Sequence, residues 1–256
     1  MKIFATDLDS TIIVNKPPKN LDGYICISET PRGKSYISQN NLNKLIKINN
    51  LAKMIPITTR GIVSYNTINF GFPFEFALVD NGAILLHNNE IDKEWLKESQ
   101  EIFKDGKPFF DIAYNYLKSN GFKTKTNSEF TIDFNIKDMT LEERDYHYEK
   151  LVELIGDKFD VFKAGYNENG LKGIYATYKD FNKGDSLKRL IKKLGKIDKV
   201  IVAGDSGSDW SMMKQTLYSI GLSDSPSQYQ FEKEKFKNYT YDYIDFVINT
   251  VLNLVS

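Results

Sequence analysis

Asp7 and Asp9 stand two residues apart at the end of an apolar run, Ile3-Phe4-Ala5-Thr6. Carboxylates so spaced on an extended segment point to the same side. Like charges that close repel, and one keeps its proton unless a cation or hydrogen-bond donors lie nearby. The pair therefore asks for a metal ion, a proton-transfer task, or both. Three further features have the same character. Thr58 follows a second apolar run, Met54 to Ile57; Lys183 opens a helical stretch; Asp205 and Asp209 follow a third run, Lys199 to Ala203. Singly, each has a plain reading: a turn, a β-branched strand residue, a solvated lysine, a helix-start anion. A lysine in a helix's first turn nevertheless opposes the dipole, at a cost of about 0.3–1 kcal/mol.

The elements around these residues give them a common address. Apolar strand-like runs alternate with helical periodicities at both ends of the chain, which is the signature of an α/β fold with a parallel sheet. In such sheets ligands bind outside the carboxyl ends of the strands, where all four features would collect. Four carboxylates gathered there need a cation. Hard oxygen ligands in small number favour Mg²⁺, which takes its remaining ligands from water and phosphate. A hydroxyl and an ammonium beside it complete the requirements for holding a phosphoryl group.

Between the first run and Thr58, residues 15–34 are rich in Pro, Gly and Asn. A ribbon is expected there, Tyr24–Ser28 with Lys34–Ile37, around Pro31-Arg32-Gly33. Ser38 is placed to cap a helix carrying Leu42, Leu45, Ile46, Ile48 and Leu51. Pro56 sits awkwardly in the second strand, because a central strand needs its N–H. Phe76–Val79 reads as a further strand, with Asp80-Asn81-Gly82 turning the chain into Ala83–Leu86. From there to about Tyr178 the character changes. Helical stretches (Ile91–Lys104, Phe109–Asn120, Leu141–Ile155) flank Phe130–Phe134 and a hairpin over Asp160–Tyr178. The expected organisation is thus a Rossmann-like parallel-sheet core, 1–83 and 178–256, with an inserted α+β module, 84–177. A helix over Gly184–Leu194 and a last one over Tyr241–Leu252 complete the core.

Composition excludes several classes. Lys+Arg and Asp+Glu balance at 34 each in 256 residues. That argues against a nucleic-acid binder with a basic face and against a polybasic membrane anchor. Cys26 is the single cysteine, so neither an intrachain disulfide nor a cysteine zinc cluster can form within one chain. Without a long apolar run, a soluble cytoplasmic protein is the expectation. His87 and His147 lack ligand spacing and read as surface or capping residues. Trp95 and Trp210 read as packing residues, and the aromatic residues of 84–177 as core.

The ordered set Asp7-x-Asp9-x-Thr11, Thr58, Lys183 and Gly204-Asp205-x-x-x-Asp209 resembles the haloacid dehalogenase-like hydrolase superfamily. The inserted module falls where the sugar-phosphatase branch of that superfamily, the sucrose-phosphatase-like and Cof-like enzymes, carries a large α/β cap. The resemblance implies that Asp7 is a nucleophile forming an aspartyl phosphate, and that Asp9 protonates the leaving oxygen and then activates water. It implies that Thr58 and Lys183 hold the phosphoryl oxygens. It further implies a Mg²⁺ site made by Asp7, the Asp9 backbone carbonyl and Asp205, with Asp209 bound directly, through water, or to Lys183. Thr59 stands where the branch commonly has Gly, Ser208 where it has Asn, and Ser10 where it has Gly. Thr59, Arg60 and Lys172 are the expected substrate-side residues, Arg60 because its guanidinium makes two directed bonds. The implied activity is a Mg²⁺-dependent phosphomonoesterase acting on a small phosphorylated metabolite, a sugar phosphate by preference. A phosphomutase would use the same intermediate. A catalytically silent phosphometabolite sensor would keep the pocket, although it has no need of Asp9. The sequence does not fix the oligomeric state.

Overall fold

A computed structural model describes residues 1–15, 21–30, 33–122, 129–135, 139–167, 170–236 and 239–256, with side chains at 135, 164–167 and 170–172 outside the description. The chain forms two compact units, Met1–Asp92 with Asn182–Ser256, and Lys93–Phe181.

The first unit opens with β1 (Lys2–Thr6), whose Ile3, Phe4 and Ala5 are fully buried. Removing each of the larger two side chains from water contributes about 1.5–3 kcal/mol. β2 (Tyr24–Thr30) and β3 (Gly33–Ser38) form the expected antiparallel ribbon, with a register shift between Cys26 and Ser28. The turn residues Pro31 and Arg32 lie outside the described residues. Ser38 caps α1 (Gln39–Leu51) by accepting from the Asn41 N–H. Leu42, Leu45 and Ile48 of that helix are buried, whereas Ile46 and Leu51, expected in the same stripe, are exposed. β4 (Lys53–Pro56) and the short α2 (Ile62–Tyr65) follow. β5 (Phe76–Val79), β6 (Ile84–His87) and β7 (Glu90–Ile91) then make an antiparallel sheet. Asn88 and Asn89 join the last two with φ of 52° and 64°, the left-handed pair a two-residue hairpin requires. Ile91 therefore belongs to a strand, not to the start of a helix.

The second unit comprises α3 (Lys93–Ile102), α4 (Lys107–Ser119), β8 (Thr131–Asn135), α5 (Leu141–Ile155), β9 (Phe159–Asn167) and β10 (Gly170–Tyr178). Its strands form one antiparallel sheet in the order β8–β10–β9. Phe103 sits edge-on to Phe110, Phe130, Phe159 and Tyr178, all buried, so the aromatic density is core. His147 meets the Tyr116 hydroxyl through Nδ1 at 2.7 Å. Contacts divide the chain after Asp92 and Phe181, whereas the sequence placed the division at 84 and 177. The reason is that β6 and β7 complete a sheet with β5.

The chain returns to the first unit through α6 (Lys183–Leu194), β11 (Lys199–Ala203), α7 (Trp210–Met213), β12 (Tyr218–Leu222), β13 (Tyr229–Phe231) and α8 (Tyr239–Val255). β12 and β13 are not foreseen from the sequence. Both are short, and Gly221 interrupts the apolar pattern of β12. Trp95 is buried as expected, but Trp210 is 39% exposed and packs less than the sequence suggested.

The main sheet runs β13–β12–β11–β1–β4 and every pairing in it is parallel. β4 lies at the edge, which is where a proline such as Pro56 is tolerated. β1 has β4 on one side and β11 on the other. The winding reverses there, and the carboxyl ends of those three strands define the crevice. Among the described residues no helix is long and apolar enough to cross a membrane.

Candidate active site

Asp7 leaves the carboxyl end of β1 with its N–H donated to Ala203 at the end of β11. The chain then folds back sharply: the N–H groups of Thr11, Ile12 and Ile13 all point to the Leu8 carbonyl. Ser10 makes this turn with φ of 63°. A non-glycine residue there costs about 1–2 kcal/mol. The turn returns the Thr11 hydroxyl to Asp7 and to Asp205, at 3.3 Å from each carboxylate. Thr11 has no role in the sequence reading, although it stands within the first motif.

Lys183 is the first residue of α6, and Asn182 caps the helix through the Asp185 N–H. Gly184 lets this end approach α7, because a Cβ there would meet the Ser211 carbonyl oxygen at 2.3 Å. Lys183 is buried and its Nζ donates to Asp7 Oδ1 and Asp209 Oδ1, each at 2.6 Å. The two ion pairs offset the unfavourable placement of a cation in a first helical turn. Asp209 is held from behind. Its Oδ2 accepts from the Asp205 and Ser206 N–H groups and the Ser206 hydroxyl, all at 3.0 Å. Gly204 makes this possible, since a Cβ there would come within 2.3 Å of the Asp209 side chain.

The carboxylates of Asp7, Asp205 and Asp209 offer oxygens that all lie within 4.8 Å of one another. Lys183 is the ammonium bonded to this cluster. Burial, reinforced by the neighbouring negative charges of Asp209, Asp9 and Asp205, pushes Asp7 up to about 8, although Lys183 pulls the other way. Burial and Asp209 push Asp205 up to about 7. Lys183 is driven above its ordinary value because its two carboxylate partners outweigh burial. A desolvated cluster of hard oxygens with surplus negative charge fits Mg²⁺ in donor type and in charge.

Thr58 is fully buried beyond β4, where its N–H meets the Leu78 carbonyl and its carbonyl accepts from the Asn81 N–H. Its Oγ1 accepts from the Arg60 N–H at 3.1 Å, which leaves the hydroxyl hydrogen to donate elsewhere. Thr59 is partly exposed in the same loop. Asp9 is placed apart from the three-carboxylate cluster. Its two oxygens accept from Arg60 Nη2 at 2.5 Å and Nε at 2.8 Å. Arg60, expected toward the substrate, is thus turned onto Asp9. Lys172 is in β10, and its side chain lies outside the described residues. The neighbouring Lys163 pairs with Asp145 and lies over the Tyr148 ring.

No protein-family model matches the chain. Over 110 residues it is 32% identical to the Mycoplasma genitalium protein named "Putative phosphatase MG125", a match covering 43% of this chain and 36% of that one. The chain thus spans little more than a third of that curated relative. Among solved structures it superposes on the sucrose-phosphatase of Synechocystis, described in complex with sucrose and phosphate. That likeness has a TM-score of 0.54 and 16% identity, covering 87% of this chain and 83% of the other. A haloacid dehalogenase-like hydrolase of Bacteroides thetaiotaomicron gives a TM-score of 0.57 at 15% identity, over 96% and 99% of the two chains. The fold is that of the haloacid dehalogenase-like hydrolases. In this haloacid dehalogenase-like fold Asp7, Thr58 and Asp205 stand just beyond β1, β4 and β11, and Lys183 bridges the first to Asp209.

Proposed function

We propose that the protein is a Mg²⁺-dependent phosphomonoesterase acting on a small phosphorylated metabolite, a sugar phosphate by preference, through an aspartyl-phosphate intermediate. The observation that carries this reading is the buried Lys183 held between Asp7 and Asp209 beside Asp205. A carboxylate stripped of water and kept within reach of an ammonium is suited to attack phosphorus while its charge is balanced.

Asp7 attacks phosphorus through a carboxylate oxygen as the bond to the ester oxygen breaks. Asp9 supplies the proton that the departing alkoxide takes up. In the second half, Asp9 accepts a proton from water as the water oxygen attacks the same phosphorus. Asp7 is released as a carboxylate together with orthophosphate. Thr58 donates its hydroxyl hydrogen to a phosphoryl oxygen, and Lys183 compensates the negative charge that builds there. Asp7, Asp205 and the Asp9 carbonyl are the groups that would hold Mg²⁺, with Asp209 supporting them through Lys183. When bound, the ion neutralises phosphate charge and orients the ester for in-line attack. The core residues handle only the phosphoryl group, so discrimination among sugars is assigned to the second unit, Lys93–Phe181, Lys172 included, and to Thr59. The likeness to the Synechocystis sucrose-phosphatase, known in complex with sucrose and phosphate, supports the sugar preference. A cytoplasmic site of action belongs to the same proposal and is supported by the single, unpaired Cys26.

The test is hydrolysis of p-nitrophenyl phosphate with and without Mg²⁺, followed by a panel of sugar phosphates. Phosphate release that needs the ion and disappears in Asp7→Asn is expected. Absence of release from every ester tried would overturn the reading, and turnover only in the presence of a sugar bisphosphate would make the protein a mutase.

A further inference from the structure

The guanidinium of Arg60 is engaged on two sides. One side forks onto Asp9, as described. On the other, Nη2 donates to Ser35 Oγ at 3.0 Å and Nη1 makes a longer bond to Ser28 Oγ at 3.5 Å. Ser28 is in β2 and Ser35 in β3, so both belong to the ribbon, and both are buried. Their hydroxyl hydrogens are committed elsewhere. Ser35 donates to Asn15 Oδ1 at 2.8 Å. Ser28 lies 2.6 Å from Thr67 Oγ1, and Thr67 gives its own hydrogen to the Ser64 carbonyl at 2.8 Å, so Ser28 is the donor of that pair. Each serine therefore turns lone pairs, and only lone pairs, toward Arg60. The backbone of Arg60 is fixed as well. Its N–H donates to Thr58 Oγ1 and its carbonyl accepts from the Asp80 N–H at 2.9 Å.

An arginine free to seek a substrate anion would not be anchored at both ends and along both edges of its fork. We propose that Arg60 is a positioning residue for Asp9, and that Ser28 and Ser35 of the ribbon set its aim. The ribbon then acts on the proton-transferring carboxylate through one bridging side chain. The role of Asp9 in this inference rests on the phosphatase reading; the aiming of Arg60 does not.

Two measurements separate those levels. The first is a thermal-unfolding double-mutant cycle of Asp9→Asn and Arg60→Gln, run in the wild-type background and again with Ser28→Ala and Ser35→Ala. The non-additivity between Asp9 and Arg60 is expected to fall by half or more without the serines. An undiminished coupling would overturn the proposal. Should the doubly substituted background fail to fold, Ser35→Ala alone supplies it, because Ser35 makes the shorter bond. The second measurement compares p-nitrophenyl phosphate with an alkyl phosphate. The serine variants are expected to lose about tenfold in kcat on the alkyl ester, which needs its leaving oxygen protonated, and under about twofold on the activated one. KM should stay within about twofold, and Ser35→Thr, which keeps the hydroxyl, should restore the rate. A KM that rises tenfold at constant kcat would make Arg60 a substrate ligand instead. If the wild type hydrolyses neither ester, the phosphatase reading has failed and the unfolding cycle alone decides the role of Arg60.

Discussion

Two charged groupings lie beyond the main sheet of the first unit, and they are built on opposite terms. Around Lys183, one ammonium is bonded to Asp7 and Asp209 with Asp205 beside them, and Lys183 and Asp209 are almost wholly removed from water. Around Arg60, one carboxylate meets one guanidinium through two parallel bonds, with the Asp9 side chain 30% exposed. With all three carboxyls ionised the first grouping would carry surplus negative charge, and burial together with that repulsion holds Asp7 and Asp205 well above the ordinary carboxylate range. The second is balanced as it stands. A grouping out of balance is one that can accept an added cation, and a balanced one is suited to holding a side chain in place.

The largest expected effect tests the first grouping directly. Asp7→Asn should lower kcat by about a thousandfold or more, because an amide oxygen cannot form the acyl phosphate. Its melting temperature should hold or rise, since a desolvated carboxyl is removed while Lys183 keeps Asp209. Circular dichroism melting beside a phosphate-release assay measures both. Activity above a few per cent of wild type would take the nucleophile's role from Asp7.

Lys183→Met comes next. It leaves Asp7 and Asp209 buried without their cation, and breaking such a pair costs about 3–5 kcal/mol. Urea unfolding should show that loss, and part of it should return on adding Mg²⁺. Arg60→Met should cost less than half as much, because Asp9 can rehydrate. Equal losses for the two would mean that the groupings do not differ in kind.

A third expectation concerns pH. Asp7 and Asp205 have raised values in the folded state, so the stability they contribute is present below about pH 4 and is lost as the pH climbs through about 7 and 8. The metal-free protein should thus melt lower at pH 8 than at pH 5. Lys183, also raised, contributes stability that is fully present below its unfolded value and does not change across this window. A cation needs the ionised carboxylates and displaces their protons. The increase in melting temperature produced by Mg²⁺ should therefore be larger at pH 8 than at pH 5. An equal increase at both would remove these carboxyls from the metal site.

The smallest effect is at Ser10, in the turn that leads from Asp9 to Thr11. Ser10→Gly relieves the left-handed backbone but loosens the unfolded chain. The net expectation is stabilisation of under about 1 kcal/mol, with activity unchanged. Destabilisation in urea would show that Ser10 contributes more than its backbone shape.

The difference between the groupings also marks what the sequence could convey. Asp7, Thr58 and Asp205 directly follow strands that announce themselves as apolar runs, so a parallel sheet gathers them by register alone. Lys183 is legible because a lysine at a helix start needs a partner. The contacts of Arg60 are not legible, because they depend on which way the Ser28 and Ser35 hydroxyls face, and no periodicity encodes that. β12 and β13 escaped for a related reason: short strands completing an existing sheet draw their stability from neighbours and need little pattern of their own. Asn88-Asn89 could have been read as a hairpin turn, but Ile91 beside a charged, helix-favouring stretch drew the boundary too early.

The separation of 176 positions between Asp7 and Lys183 has a bearing on biosynthesis. Chains emerge from the ribosome amino end first, and contiguous units fold as they appear. Lys93–Phe181 is contiguous, so it has all its own strands before the first unit has β11 to lay beside β1. Lys183, which is bonded to Asp7, and Asp209, which is bonded to Lys183, are made well after Asp7. Until they arrive, the nascent β1 has no partner on its β11 side. A chain cut short before α6 would thus carry an unpaired strand edge with acidic residues at its tip, the kind of fragment that chaperones and proteases recognise.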